Sequence, residues 1–274
     1  MAFMTWQVGL DIQNGQLCAL AVQRRRNGWQ LRHWWQHALP HDTLTDGQLQ
    51  RSEVFTTLLQ RFRKQLPYRV SLRVGFPPQL VLQRKLEVTR QQLREPHCGS
   101  YIYAAAKRFF PVEPETLTLD YRQPQQRDDQ LWLTATRREA LQGWLHCLHE
   151  ADLSPQVLEL TPTALFVLAK NMRLDPGAVL VHRLYDHWLW CCPFRQPNWG
   201  CCSLQDAPDF TSLRRVHLPD VNSFYYSAIM DTPLPEGARW LNPLAVLAHM
   251  QPPLPINPGA FTLAAGLALR PGDA

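Results

Sequence analysis

Trp6-Gln-Val-Gly-Leu-Asp11-Ile-Gln-Asn-Gly15-Gln-Leu-Cys18-Ala-Leu-Ala-Val22 is the stretch on which the fold turns. Two apolar runs, Val8 to Ile12 and Leu17 to Val22, flank an Asn14-Gly15 pair, a dipeptide that readily takes the positive φ angles of a tight hairpin turn. The expectation is strand, turn, strand, with Asp11 near the end of the first strand. In several nucleotide-binding folds a carboxylate in that place meets a metal-bound phosphate, beside a turn whose N–H groups hold the phosphate oxygens. A plain hairpin with a solvated Asp fits these residues as well, and they leave both readings open.

Working outward, Trp29 to Gln36 reads as a third strand, so the chain opens with a meander at a sheet edge. Arg24-Arg25-Arg26 lies between two strand-like runs and is followed by Asn27-Gly28, which makes it an exposed hairpin tip. Ser52 to Leu66 has helical spacing, with Val54, Phe55, Leu58, Leu59, Phe62 and Leu66 on one stripe, ended by Pro67. Val70 to Phe76 alternates as a half-buried strand, and Val81 to Val88 as a second extended run with one wet face. Gln91 to Phe110 predicts a helix carrying Tyr101, Ile102, Ala105 and Phe109. Thr116 to Arg122 and Gln130 to Thr136 alternate again around a polar loop, Gln123 to Asp129. The result is a β-β-α-β-β module.

From Arg137 a helix places Leu141, Trp144, Leu145 and Leu148 in register. A strand Gln156 to Leu160 follows, and then a helix from Pro162 to about Asn171 with Thr161 as its cap. The second half opens at Pro176-Gly177 with strands Ala178 to Leu184 and Trp188 to Cys192. A partner strand Trp199 to Leu204 is turned by Arg195-Gln-Pro-Asn. Asp206 to Pro235 carries only a weak signal. Ala260 to Leu269 reads as a small-residue helix suited to close packing on a sheet. Each half opens with hairpins and moves to helices, as two related lobes would.

At 274 residues with 45% apolar content the chain can bury a large core. The start Met-Ala-Phe-Met-Thr-Trp-Gln lacks a basic-then-apolar leader, and no uncharged apolar run approaches the roughly 18 to 20 residues of a membrane span. A cytoplasmic protein is expected. The net charge of +5 is mainly arginine, with Lys64, Lys85, Lys107 and Lys170 the four lysines, and reads as a solvated surface. Seven cysteines form no Cys-x-x-Cys pair, and the neighbours in Cys191-Cys192 and Cys201-Cys202 would point to opposite strand faces. Free structural thiols are therefore expected over zinc or a disulfide. His146 and His149 share a helix but sit among Trp144 and Leu148, which favours a structural role. Trp29, Trp34 and Trp35 lack the interleaved basic residues of a base-stacking surface and read as strand packing. No GxSxG, HExxH or GxxxxGK[ST] motif occurs.

Several of these pieces resemble the actin-like ATPase fold in the form of the PilM-like type IV pilus assembly family, and within it the HofM group of DNA-utilization proteins. Val8-Gly-Leu-Asp11-Ile12 is similar to the family's first strand and phosphate loop, and Val70 to Val88 to the pair opening its inserted subdomain. Tyr103-Ala-Ala-Ala-Lys-Arg-Phe-Phe-Pro111 followed by Thr118-Leu-Asp120-Tyr121 resembles its helix, aromatic-Pro step and "DY" strand. Ala135-Thr-Arg-Arg138 through Ala151-Asp-Leu-Ser-Pro155 and Ala164-Leu165 resembles its helix, turn and helix. Gln251-Pro-Pro-Leu-Pro255 to Ala265-Gly266-Leu-Ala-Leu-Arg270 looks like the HofM group's tail. The resemblance runs nearly end to end. It implies a two-lobed, ribonuclease H-like α/β fold with an inserted β-β-α-β-β subdomain and a reduced second lobe. Residues 1–69 and 137–175 would form the first lobe, 70–136 the insert and 176–274 the second lobe.

The departures from the family pattern carry the functional expectation. Its ATP-binding members read Asp-x-Gly and later Lys in the first loop, where this chain has Gln13 and Cys18. Their second loop follows a strand ending Asp-x-Gly, where this chain runs Ala178 to Val181 into His182-Arg183-Leu184. No Gly-rich adenosine loop stands between Asp206 and Pro235. Asp11, Gln13, Gly15 and His182 are thus expected as remnants of the two phosphate loops, with no catalytic residue, no metal and no cofactor; the alternative is an active Mg–ATPase using Asp11. The implied role is a cytoplasmic scaffold of a type IV pilus-like DNA-uptake machine, serving use of extracellular DNA as nutrient. Its partner would be the cytoplasmic N-terminal peptide of a single-span inner-membrane protein of the PilN or HofN kind. A groove between the first lobe and the insert would hold that peptide and tie the protein to the inner membrane through its partner alone. Direct nucleic-acid binding, for which the Arg24 to Arg26 tip is the one motive, is not expected.

Overall fold

Unbroken apolar runs belong to strands buried on both faces. The computed structural model, which describes residues 5–88, 97–122, 130–193 and 199–272, buries Val8 to Ile12 and Leu17 to Val22 in that way. Strands β1 (Trp6–Gln13), β2 (Gln16–Arg25) and β3 (Gly28–Ala38) form an antiparallel meander. A small hairpin, β4 (Leu44–Thr45) and β5 (Gln48–Leu49), leads to α1 (Ser52–Arg63) and then to β6 (Val70–Phe76), which pairs parallel to β1. The insert follows: β7 (Val81–Glu87), α2 (His97–Phe109), β8 (Leu117–Arg122) and β9 (Gln130–Arg137), with sheet order β7-β9-β8. The chain returns through α3 (Arg138–Glu150) to β10 (Val157–Leu160), parallel to β6, and α4 (Thr161–Met172).

The second lobe repeats the plan. Strands β11 (Val179–Arg183), β12 (His187–Cys191) and β13 (Trp199–Ser203) form a meander. Helix α5 (Phe210–His217), β14 (Phe224–Ala228) and β15 (Ala238–Trp240) come next, the last two parallel to β11 and to each other. Orders β3-β2-β1-β6-β10 and β13-β12-β11-β14-β15 are the same third-second-first-fourth-fifth arrangement. The reduction of the second lobe lies in length: its strands run 3 to 5 residues, against 4 to 11 in the first. Helix α6 (Thr262–Leu269) ends the described chain.

Period-two alternation sorts the core into layers. Leu17, Ala19 and Ala21 of β2 face α1 and α3, while Cys18, Leu20 and Val22 face a middle layer of α4 and α6. Leu180, Leu189 and Cys191 of the second sheet close that middle layer from the other side, and its outer face packs on α5. Both faces of each sheet are covered, so the two lobes share one apolar middle. No helix among the described residues is long and apolar enough to cross a membrane.

Several expectations change. Val70–Phe76 does not open the insert; its pairing between β1 and β10 makes it a central strand of the first sheet, so the insert begins after it and reads β-α-β-β. Val54, Leu145 and Phe109 lie at the exposed edges of their helices, 38 to 41% accessible, because each stripe narrows where its neighbour ends. Thr161 is not a side-chain cap: it is already in the first turn of α4, and its buried hydroxyl has no partner there. The weak stretch Asp206 to Pro235 holds α5, capped by Asp209 accepting from the Ser212 N–H, and β14, at the heart of the second sheet. The Arg195 turn, the Gln123 to Asp129 loop and the start of the helix expected from Gln91 lie outside the described residues. Trp34 and Trp35 pack from β3 as expected, edge-on to Phe261 and stacked on Phe62. Cys191 and Cys192 take opposite faces of the second sheet, and all seven thiols are free.

Candidate functional site

On β1, Val8, Leu10 and Ile12 point to α1 and α3, so Asp11 and Gln13 point the other way, toward the middle layer. Asp11 is 1% exposed and pairs in register with Cys18. Its Oδ1 accepts a 2.7 Å hydrogen bond from Gln13 Nε2. Burial pushes its pKa up to about 7, with the Gln13 and Ile12 bonds opposing. Burial, together with the nearby Asp11 carboxyl, also pushes the Cys18 thiol well up. Glycine at 75 on β6 makes room for this packing, since a Cβ there would lie 3.0 Å from Thr161 Cγ2 and 3.4 Å from Asp11 Oδ1.

The turn itself is covered. Gly15, at φ 86°, sits under His41, whose ring stacks on Tyr185 of the second lobe at 4.1 Å between centroids. A Cβ at Gly15 would meet the His41 ring at 3.2 Å. Asn14 Nδ2 donates to Asp186 Oδ2 at 3.3 Å, so the β1–β2 turn and the β11–β12 turn touch across the lobes. Burial would raise the Asp186 pKa, but its contacts with His187 and Asn14 hold it below the usual carboxylate value. His182 lies within β11 and not in that turn. It is fully buried and shares a 2.8 Å hydrogen bond with Ser227, and burial with the nearby His187 lowers its pKa to about 3.

These residues do not fit Mg²⁺ and a triphosphate. The one carboxylate of the first loop is turned inward onto Gln13, the phosphate side of the Gly15 turn is occupied by His41, and no cation stands at Cys18. Among the described residues, no cluster of three or more His, Cys, Asp or Glu side chains is placed to hold a metal.

The burial of Asp11 sets a pH dependence. An unfolded Asp ionises near 3.8, whereas the fold keeps this carboxyl protonated to about 7. Stability therefore falls as pH rises from about 4 to 7 and stays low above that, because the unfolded state loses its proton first. Asp11→Asn keeps an acceptor for Gln13 and removes the titration. It is expected to raise stability at pH 8 by roughly 2 to 4 kcal/mol and to change it little at pH 4, as urea unfolding at the two pH values would read.

Open space lies elsewhere. In the insert's sheet, Leu117, Leu131, Leu133 and Ala135 pack on α2, so the alternate residues Thr118, Trp132, Thr134 and Thr136 face the first lobe. Opposite them stand Phe76, Leu158 and Leu160 of the first sheet, with Thr163 and Phe166 of α4. Between the two faces runs a groove of about 510 Å³. Gln83 Nε2 donates to Thr134 Oγ1 at 2.9 Å, and Thr136 Oγ1 donates to the Leu80 carbonyl at 2.8 Å, which orders the roof. Arg122 of β8 donates to Glu159 of β10 at 2.9 Å and ties the insert to the lobe at the groove's edge. The resemblance placed a partner site between lobe and insert without naming contact residues. The Thr-x-Thr alternation in β9 was the sequence signal for them, since a second polar face on an insert strand needs something to face.

The sequence model of the family described as "Type IV pilus assembly protein PilM" matches residues 9–173. The DNA utilization protein HofM of Escherichia coli (strain K12) is 26% identical over 278 aligned positions, which cover 98% of each chain. Among solved structures, the PilM-PilN type IV pilus biogenesis complex superposes with a TM-score of 0.69 at 16% identity, over 96% of this chain and 97% of that one. The cytoplasmic domain of EpsL, an inner membrane component of the type II secretion system of Vibrio cholerae, does so with a TM-score of 0.55 at 12% identity, over 94% and 93%. The duplicated sheets with their insert are the actin-like architecture that the resemblance implied. The chain belongs to the type IV pilus assembly protein PilM family.

Proposed function

We propose that this protein is a non-catalytic cytoplasmic scaffold of a type IV pilus-like DNA-uptake machine. In this reading it binds the N-terminal peptide of a single-span, PilN- or HofN-type inner-membrane protein in the groove between the first lobe and the insert, and so lies at the inner membrane. The observation that carries the reading is the contrast between the two sites: the nucleotide turn is filled by its own side chains, whereas the groove is open. An extended peptide alternates its side chains, which suits a roof of threonine hydroxyls and Trp132 over a floor of Phe76, Leu160 and Phe166. A peptide tethered at a membrane also gains effective concentration, so a modest groove affinity suffices. The likeness to HofM and family membership support the uptake role.

Fluorescence anisotropy with the labelled partner peptide tests this. Thr134→Arg, which fills the groove from the roof, is expected to weaken binding by about tenfold or more while leaving thermal unfolding unchanged. Undiminished binding would remove the groove from the reading. Tight Mg–ATP binding by calorimetry, lost in Asp11→Ala, would replace the scaffold with an ATPase.

A further inference from the structure

The β2–β3 tip, with the segment that runs along its edge, forms a surface that neither the groove nor the nucleotide turn uses. Arg24, Arg25 and Arg26 are all exposed, and among the described residues none is paired with a carboxylate. Arg24 lies 5.1 Å above the Trp29 ring, and Arg25 Nε donates to Gln30 Oε1 at 2.9 Å, so two of the three are held in place with their charge outward. Alongside, residues 248–258 cover the edge of β3. Ala248 N–H donates to the Trp29 carbonyl, Leu31 N–H to the His249 carbonyl, and Trp34 Nε1 to the Pro253 carbonyl at 2.8 Å. This segment contains no acidic residue.

What the segment exposes is apolar. Met250 and Leu254 are each 38% accessible, and Ile256 is completely so. Arg25, Arg26, Asn27 and Gln30 meet Met250 in a shallow hollow. From Trp29, beside the arginines, to Trp34, beside Pro253, is about 17 Å of strand. A basic tip and fixed apolar side chains therefore share one sheet edge.

We propose that this edge is a direct docking surface for an anionic lipid bilayer, with the arginines on the headgroups and Met250, Leu254 and Ile256 in the interface below them. Arginines alone would suit any polyanion, but fully exposed Ile256 on a tethered, acid-free segment loses water only against an apolar phase. Nucleic acid offers that side chain no such phase, and it stacks on free aromatic faces, whereas Trp29 already lies under Arg24. Direct lipid contact would orient the scaffold on the membrane independently of any peptide in the groove.

The test is sedimentation of the full chain with vesicles of phosphatidylcholine, with or without phosphatidylglycerol, at low and high salt. The expected result is binding only where phosphatidylglycerol is present, weakened by salt. Reversing the charges in R24E/R25E/R26E should lower the affinity by about a hundredfold. Leu254→Ser with Ile256→Ser should lower it by about tenfold at low salt. Because all five side chains are exposed, thermal unfolding should stay as in the parent. Binding to phosphatidylglycerol vesicles that ignores the Leu254/Ile256 change, or no binding at low salt, would overturn the proposal. So would an arginine-dependent gel shift of duplex DNA without vesicle binding.

Discussion

Gly266→Ala is expected to destabilise the fold by at least about 3 kcal/mol, lowering the unfolding temperature by about 10 °C in a thermal melt. Every residue of α6 is buried, and the helix lies between the first sheet and α4. A Cβ at Gly266 would stand 2.0 Å from the Ala164 carbonyl oxygen and 2.6 Å from its carbon, both backbone atoms of α4. On its other side α6 approaches Gly9 of β1, where a Cβ would stand 2.1 Å from the Ala264 carbonyl oxygen. Neither contact can be relieved by turning a side chain. Space for one methyl has to come from moving a helix, and the middle layer is shared by both lobes. Gly143→Ala is the control: on α3 a Cβ meets nothing within 4 Å. There the same substitution should stabilise by about 0.5 to 1 kcal/mol through helix propensity alone. Opposite signs from one chemical change would identify close approach as the cause, and a small loss at Gly266 would show that the layers can separate cheaply.

Glu159→Ala should cost about 3 to 5 kcal/mol in urea unfolding, a large effect for one carboxylate on a short edge strand. Glu159 is 3% exposed and Arg270 7%. Arg270 Nε donates to Glu159 Oε2 at 2.5 Å, Arg122 Nη1 to the same carboxylate at 2.9 Å, and the Leu160 N–H to Oε1 at 3.1 Å. Arg73 Nε in turn donates to the Arg270 carbonyl at 2.7 Å, so the end of α6, β6, β10 and the insert meet at one anion. Removing it leaves the Arg270 charge in low dielectric without that carboxylate. Half-exposed Arg122 contributes less, because water screens it. The cycle with Arg270→Leu decides the origin. If Glu159→Leu with Arg270→Leu costs much less than the two single changes summed, the loss is that of a stranded charge; strict additivity would locate it in packing.

Local chemistry made much of the fold legible. Asn14-Gly15 and the runs beside it defined β1 and β2, and the same strand-turn-strand start in each half foreshadowed two sheets of one order. Alternation in β8 and β9 announced an insert with one covered face and one polar face. Elements of short span failed because their signals are tertiary. Phe224–Ala228 is a five-residue strand whose order comes from pairing with β11, 45 residues earlier, and α5 is eight residues long, too short for a clear stripe. Val70–Phe76 read correctly as a strand but was assigned to the wrong sheet, since alternation specifies faces and not partners.

The same division applies to the site. Residue identity by itself determined that Gln13 and Cys18 stand where ATP-binding relatives carry glycine and lysine, because the absence of a cation or of bare backbone is visible in one letter. Only the tertiary structure decided what became of the space. Gln13 folds back onto Asp11, and His41 and Tyr185 arrive over Gly15 from distant parts of the chain. The groove beside Trp132 and Phe166 exists because strands from two different sheets face each other. Contacts of this kind join residues far apart in the chain, and their energies depend on distance and burial that no local pattern encodes.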